Sequence, residues 1–173
     1  TGADSAVSSP VQHGDLLLIG GLMLKLDADK PAVSVLWPGK RPAPKRILSN
    51  TSTALIQGEH LYSARSSGEL VCLDLRTGGQ AWKAEGVTDL KQGACIHFTP
   101  NGGSVLIYTE RGELIRARLT PQGYQEIGRT AILAPTYPFA GRKCVWSPAS
   151  FANRHLFARN DVELVCVSLA AKP

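Results

Sequence analysis

The sequence predicts an all-β fold built from about four copies of one short meander. Short runs of alternating apolar and polar residues are bounded by turns rich in Gly, Asn and Asp, which is the pattern of β-hairpins and not of helices. Glu69-Leu70 recurs as Glu113-Leu114 and Glu163-Leu164, and Trp37 recurs as Trp82, at intervals of 44 to 50 residues. A period near 45 residues with up to four strands per copy is typical of a β-propeller.

Each copy contains three recognisable strands, and in the last three copies the third strand carries the Glu-Leu pair. A tight turn joins the first strand to the second, and these turns are centred on Gly14, Gly58, Gly102 and Asn153. Glycine and asparagine are the residues that best tolerate the left-handed backbone of a two-residue hairpin. We expect one partial propeller domain over residues 1–173, with repeats covering about 7–45, 50–88, 93–133 and 144–171.

The second copy shows the repeat most clearly. Its third strand leads to Asp74, a turn follows at Thr77-Gly78, and Trp82 comes next. We expect the Asp74 carboxylate to accept hydrogen bonds from the amides of the turn and Gly78 to adopt a left-handed conformation. We expect Trp82 to cover the seam to the next blade. All three roles are structural.

The last copy is shorter than the others. It stops after its third strand, near Leu169, where the second copy continues into an outermost strand around Trp82. The prediction is therefore about four blades of antiparallel four-stranded meanders, with the last blade lacking its outer strand. An open fan of blades would expose sheet edges, so we expect this chain to be the C-terminal part of a propeller of seven or eight blades.

The second copy resembles the repeat of the pyrroloquinoline-quinone-type (quinoprotein) propellers. The matching residues are Gly68, Leu70, Leu73, Asp74, Thr77, Gly78 and Trp82. The first copy keeps Leu26, Asp27 and Trp37 but lacks the Thr-Gly turn, and the third has Arg118 in place of the Asp and no Trp. Because relatives of this repeat are mostly exported, the resemblance implies a periplasmic or extracellular location.

The resemblance also raises the question of a cofactor. Quinoprotein dehydrogenases hold the quinone and a Ca²⁺ ion at the propeller axis, often beside an adjacent cysteine pair and a stacking Trp. This chain has no adjacent cysteine pair, and no family ligand can be carried over to it. Trp146 is the one aromatic expected to face the axis, with Asn153 and Asp161 nearby in the sequence. We expect no bound cofactor; the alternative is pyrroloquinoline quinone (PQQ) with Ca²⁺.

The charge and the hydropathy of the chain indicate whether it binds nucleic acid or spans a membrane. The net charge is +5, from 19 Lys and Arg against 14 Asp and Glu. The only basic cluster lies in the Pro-rich segment 37–46, and aromatic residues make up 6% of the chain. Single-strand binders interleave basic and stacking residues, so we expect no nucleic-acid partner. No apolar run approaches the roughly 18 residues of a membrane span.

The four cysteines are widely spaced, which excludes the common zinc-ribbon and thioredoxin-type patterns. Cys72 and Cys166 occupy equivalent positions in their copies, as expected of small buried apolar residues. Cys95 and Cys144 both lie near the start of an inner strand in neighbouring copies. A disulfide between them and two free thiols are both compatible with the sequence.

The leading functional hypothesis is a non-catalytic propeller scaffold that binds a protein or a small ligand through the loops of one face. The long connections 38–50 and 134–143 are the candidate loops. The second contains Tyr137, Phe139 and Arg142, and these residue types anchor interfaces. With Trp146 they form the set of binding candidates, although Tyr137 and Phe139 are also explained by simple packing of the loop onto its blade.

The alternative function is enzymatic. It makes the chain the C-terminal half of a PQQ- and Ca²⁺-dependent alcohol or sugar dehydrogenase, in which carboxylates converge near the axis. The sequence assigns no catalytic, cofactor-binding or metal-ligating residue. The remaining blades of the parent propeller are expected partners under both hypotheses.

Overall fold

Successive β-meanders make up the structure, a computed structural model that describes residues 8–38, 48–89 and 94–170. Within these ranges there is no helix, and every strand pairs in antiparallel fashion. Three sheets have four strands, one has three strands and one is a two-stranded hairpin. The all-β propeller fold with a three-stranded last blade is therefore confirmed.

The three four-stranded sheets follow one another along the chain, and in each the strands are in sequence order. The first sheet comprises β1 (Val11–His13), β2 (Leu16–Ile19), β3 (Leu22–Leu26) and β4 (Val33–Trp37). The second comprises β5 (Leu55–Gln57), β6 (His60–Ala64), β7 (Leu70–Asp74) and β8 (Gln80–Ala84). The third comprises β9 (Ile96–Asn101), β10 (Ser104–Thr109), β11 (Glu113–Thr120) and β12 (Gly123–Ala131).

A hairpin and the three-stranded sheet complete the described chain. The hairpin contains β13 (Tyr137–Phe139) and β14 (Arg142–Cys144). The last sheet contains β15 (Ser150–Ala152), β16 (His155–Arg159) and β17 (Leu164–Ser168). We call the four larger sheets blades 1 to 4. The hairpin occupies most of the segment 134–143, which the sequence predicted to be a connecting loop.

The apolar core lies between consecutive blades. Alternation along each strand sends one set of side chains to the preceding blade and the other to the following blade. Leu61, Val105 and Leu156 occupy equivalent positions in blades 2, 3 and 4, and each is no more than 2% exposed where it faces the preceding blade. Full burial of one such side chain contributes about 1.5–3 kcal/mol to stability.

The repeat motif has the predicted structural roles. Asp74 Oδ1 accepts hydrogen bonds from Thr77 N and Thr77 Oγ1, both at 2.7 Å, and from Arg76 N at 3.1 Å. These bonds, that of the Thr77 hydroxyl above all, hold the pKa of Asp74 below its usual value. Gly78 has φ +70°, and Trp37 of blade 1 packs directly against it.

The tryptophans seal the seams as predicted. Trp37 Nε1 donates to Leu75 O at 3.0 Å, and Trp82 Nε1 donates to Thr120 O at 2.8 Å. In both cases the acceptor lies in the next blade and 38 residues further along the chain. Blades 1 and 2 therefore use one device to join their successors.

One cysteine prediction is wrong. Cys72 is buried between blades 2 and 3, but its equivalent Cys166 is exposed. Cys166 lies on the face of blade 4 that no other described sheet covers, whereas blade 3 covers Cys72.

Of the connection 38–50, residues 39–47 lie outside the described residues. The basic cluster lies among them, with Lys40, Arg41, Lys45 and Arg46. No helix in the described part of the chain is long and apolar enough to cross a membrane.

Candidate binding site at the propeller axis

The inner strands of the four blades converge on a cavity of about 530 Å³. Ser9, Thr53 and His97 line it from blades 1, 2 and 3, at intervals of 44 residues, and Pro148 lines it from the entry to blade 4. Ser9 N donates to Thr53 Oγ1 at 3.0 Å, which ties the first two blades together at the rim. The repeat thus places equivalent positions of successive blades around one central space.

Three hydroxyl groups brace one wall of this axial cavity, and of these Thr51 lines the cavity itself. Ser49 Oγ, Thr51 Oγ1 and Ser52 Oγ all donate to the carbonyl oxygen of Ala94, at 2.6, 2.7 and 3.1 Å. Ser52 Oγ also accepts from Ile96 N at 3.0 Å. These contacts join the entry of blade 2 to the innermost strand of blade 3, so the wall is held before any ligand arrives.

His97 contributes an imidazole to the cavity wall. Burial lowers its pKa below the ordinary value of 6.5, and a hydrogen bond with the Trp146 backbone acts in the opposite direction. Its Nε2 lies 3.4 Å from the Cys95 sulfur. Near neutral pH the imidazole is therefore neutral and offers one donor and one acceptor.

An aromatic surface borders the cavity. Trp146 lines it, Phe139 packs edge-on against Trp146 with ring centroids 4.9 Å apart, and Tyr137 does so at 6.5 Å. The hairpin β13–β14 brings these rings together by turning at Ala140-Gly141, both with positive φ. Tyr137 remains 47% exposed. The structure therefore unites three of the four predicted candidates in one place.

The fourth candidate, Arg142, points inward. Its side chain is 8% exposed and lies 3.5 Å from Glu110 Oε1 and 3.6 Å from Asp89 Oδ2. Glu110 is fully buried and also accepts from Asp89 N at 2.7 Å and from Cys95 N at 3.2 Å. Burial raises the pKa of Glu110, against the opposing effect of those amides and of Arg142. This ion cluster anchors the hairpin beneath the aromatic surface.

The thiols of Cys95 and Cys144 are free and buried next to the ion cluster. Burial and the Glu110 carboxylate raise the pKa of Cys95 to about 12. Burial also raises the pKa of Cys144. Of the two states that the sequence left open, the structure has the free thiols.

His97 and Glu110 were not among the predicted site residues. The recurrence of Ser9, Thr53 and His97 at 44 residues was the signal available for the first. No such signal exists for Glu110, because its partners come from loops and a hairpin of different blades.

The donors around the axial cavity do not fit a calcium–quinone centre. Ca²⁺ takes six to eight oxygen ligands, several of them carboxylates. The described lining instead offers serine and threonine hydroxyls, a thiol, an imidazole and an indole. The nearest buried carboxylate, Glu110, is bound by two amides and Arg142. No group of three or more His, Cys, Asp or Glu among the described residues is arranged to hold a metal ion.

Together these features define a β-propeller-type protein with a polar axial cavity. No family model and no curated protein matches the sequence. Among solved structures the chain is similar to BamB from Moraxella catarrhalis, with a TM-score of 0.57 and 15% identity over 94% of this chain and 42% of that one. This likeness is one of fold, and the chain spans less than half of that protein's length.

Two further solved structures match at lower TM-scores. A europium-containing methanol dehydrogenase has a TM-score of 0.46 and 13% identity over 88% of this chain and 36% of that one. The β-propeller domain of Cps50 (Swd1) from Myceliophteria thermophila has 0.48 and 14% over 90% and 56%.

Proposed function

We propose that this chain is a non-catalytic, quinoprotein-like propeller unit that acts as a recognition scaffold. It binds a protein partner or small ligand at the aromatic surface of Tyr137, Phe139 and Trp146. The observation that carries the proposal is the position of this surface, at the rim of the axial cavity and on top of a buried ion cluster. A rigid exposed aromatic beside a pocket is the usual anchor of an interface.

The role of Arg142 supports rigidity. Because its guanidinium lies against Glu110 and Asp89, the hairpin that carries Tyr137 and Phe139 is fixed to blade 3. Side chains fixed before binding lose less conformational entropy in the complex. With 47% of its surface exposed, Tyr137 is accessible to a partner.

Two further features belong to this proposal. The quinoprotein-like repeat is supported by the Asp74 turn and by the tryptophan seams, and it favours an exported, periplasmic or extracellular protein. Further blades of a parent propeller are also proposed as partners. In blade 1, Leu17 is the equivalent of Leu61, but no described sheet covers it.

Site-specific photocrosslinking tests the proposal. We would replace Tyr137 with the photoreactive p-benzoylphenylalanine (Tyr137→Bpa) and, as a matched control, Gln125 on the exposed strand β12. A discrete adduct that forms at position 137 and not at 125 is expected. The purified partner should then bind the unmodified chain and lose at least about tenfold in affinity to Tyr137→Ala, in line with an aromatic hot spot. Equal labelling at both positions, or unchanged affinity, would contradict the proposal.

Titration with PQQ in the presence and absence of Ca²⁺ tests the same proposal from the enzymatic side. We expect no binding heat for the folded chain. Calcium-dependent binding at micromolar affinity or tighter would contradict the scaffold proposal and favour the dehydrogenase hypothesis.

A further inference from the structure

The outer strands of the blades also repeat one pattern. This pattern shows that a tryptophan is missing from the seam between blades 3 and 4. In each four-stranded sheet the outer strand carries one extra residue opposite the third strand, and the bulge falls at the same place. The outer-strand residue next to the bulge pairs with the third strand as follows: Trp37 with Met23, Trp82 with Cys72, and Gly128 with Arg116. Blade 3 therefore has glycine where blades 1 and 2 have the seam tryptophan.

No described residue fills the space beside Gly128 where the indole would lie. A Cβ built on Gly128 would meet no heavy atom within 4 Å. A cavity of about 610 Å³ opens there between blades 3 and 4. Its apolar lining is provided by Leu106, Leu114 and Phe151, and a volume of this size is typical of a ligand pocket.

The acceptor used in the seam between blades 1 and 2 has an equivalent in blade 4. In blade 2 the carbonyl oxygen of Leu75 accepts a hydrogen bond from the Trp37 indole, and Leu75 N donates to Glu59 O at 2.9 Å. In blade 4 the equivalent residue is Leu169, whose N donates to Arg154 O at 2.8 Å. Leu169 lines the cavity. The seam between blades 3 and 4 thus has an equivalent backbone acceptor but lacks the tryptophan.

The polar rim of this cavity is cationic. Arg116, Arg154 and His155 line it, and neither arginine forms an ion pair with a described residue. Arg116 Nε donates to Ser104 Oγ at 3.1 Å, which holds the side chain while leaving its terminal nitrogens available. Arg129 also lines the cavity, but its charge is offset by Glu113 at 3.0 Å and by Glu126 at 2.8 Å.

We infer that this inter-blade cavity is a docking site for an extended segment of a partner protein that carries a tryptophan flanked by acidic residues. The indole takes the place of the missing seam residue over Gly128 and donates to the carbonyl of Leu169. The acidic residues pair with Arg116 and Arg154, since charge-assisted contacts to arginine are the stronger ones. This site is separate from the aromatic surface and shares with the proposed function only the idea of a recognition scaffold.

Binding of a labelled peptide to the full chain tests the inference. The probe is a fluorescein-labelled, amide-capped pentapeptide with Trp between two Glu residues, followed by anisotropy. We expect saturable binding that weakens by at least about tenfold when the peptide Trp becomes Ala or its Glu residues become Lys. No binding to folded protein at millimolar concentration would overturn the inference, and so would equal binding of all three peptides.

Two matched pairs of variants place the site. Gly128→Trp restores the seam residue in the chain itself, and we expect it to abolish binding, whereas Gly123→Trp adds the same ring elsewhere on β12 and should leave binding unchanged. Arg116→Gln should weaken binding, whereas Arg118→Gln, two residues along β11 and outside the cavity, should not. Equal effects within either pair would overturn the assignment. A dimer dissolved by Gly128→Trp would instead make a second copy the occupant.

The outcome is independent of the aromatic surface. Tyr137→Ala should leave peptide affinity unchanged, so failure of one site does not imply failure of the other. If Tyr137→Ala reduces peptide binding as strongly as Gly128→Trp, the separate site is contradicted.

Discussion

The buried polar side chains of this protein differ in whether their polar atoms have hydrogen-bond partners. Glu110 is fully buried but accepts two amide hydrogen bonds and faces Arg142. The Tyr108 hydroxyl is also buried, yet no described residue is its hydrogen-bond partner. An unsatisfied buried hydroxyl costs about 1–3 kcal/mol relative to one that is satisfied. Two polar side chains that are equally buried therefore differ in their contribution to the free energy of unfolding.

Replacement of Tyr108 tests this difference. Tyr108→Phe removes a hydroxyl that has been taken out of water without a partner, so we expect the free energy of unfolding to stay equal or rise by up to about 1 kcal/mol. Tyr124→Phe is the control, because it removes a 2.7 Å hydrogen bond to Glu126. Urea unfolding measures both. A loss for Tyr108→Phe as large as that for Tyr124→Phe would show that its hydroxyl has a partner.

His97 predicts a pH dependence at the axial cavity. Its folded pKa lies below 6.5, so the neutral form is favoured by folding. The stability it contributes is present above about pH 6.5 and is lost as the pH falls through the lowered folded pKa. The neighbouring Cys95 thiol, with a pKa of about 12, does not titrate in this window.

Urea unfolding between pH 8 and pH 5 measures the effect of His97. We expect the decrease in stability below pH 6.5 to be smaller in His97→Gln than in the wild type. His13→Gln, at an exposed position of β1, should leave the pH profile unchanged. Identical profiles for the wild type and His97→Gln would contradict the burial of the neutral imidazole.

At the scale of the element, the turn after the third strand joins a local motif to a contact between blades. Gly78 combines a φ of +70° with a hypothetical Cβ only 2.8 Å from the Trp37 ring. Both constraints act against any side chain at this position. The motif is therefore needed for the hairpin and for the seam at once.

Gly78→Ala should destabilise the chain by about 1–3 kcal/mol, from left-handed backbone strain and displacement of Trp37. Gly103→Ala is the control, since Gly103 lacks a positive φ and a Cβ there would meet nothing within 4 Å. Thermal and urea unfolding of both variants give the comparison. Equal stability of the two variants would contradict the proposed constraint at Gly78.

At the scale of the whole molecule, the described sheets leave the two end faces of the stack uncovered, that of blade 4 around Cys166 and the apolar one of blade 1. Leu17, Leu24 and Val35 are cross-strand neighbours on the face of blade 1 that points away from blade 2. Val35 is 53% exposed and Val33 is 59% exposed. Equivalent faces of blades 2, 3 and 4 are buried against a preceding blade, and contiguous exposed apolar patches mark interfaces.

We expect the chain in isolation to self-associate through this face in a concentration-dependent manner. Val35→Glu should shift it toward the monomer, because a carboxylate cannot be buried there without a partner. Ser34→Glu, on the opposite face of the same strand, is the matched control. Sedimentation velocity distinguishes the outcomes. A wild-type chain that stays monomeric at high concentration would contradict the expectation.

The repeat itself was predictable because it depends on patterns among residues that are close together in the sequence. Alternation and the hairpin glycines such as Gly58 determine strands and turns within about ten residues. The Asp74 turn and the Trp82 seam follow from the chemistry of single side chains, so they too could be predicted.

The sites were less predictable, since they depend on residues far apart in the chain. Tyr137 and Phe139 were recognisable by residue type, but the inward orientation of Arg142 depends on a carboxylate 32 residues away. His97 joins residues of other blades only after the inner strands converge. Cys166 was expected to be buried because its pattern equals that of Cys72, but burial depends on a neighbouring sheet.

The sequence by itself therefore determined the all-β class, the order of the blades and the structural role of their shared motif. Only the tertiary structure decided that Arg142 and Glu110 form a buried ion cluster, that Trp146 borders a cavity and that Gly128 leaves a seam open. The physical reason is range. Strand alternation and turn conformation are properties of neighbouring residues, whereas burial, ion pairing and cavity shape arise only when separate blades pack together.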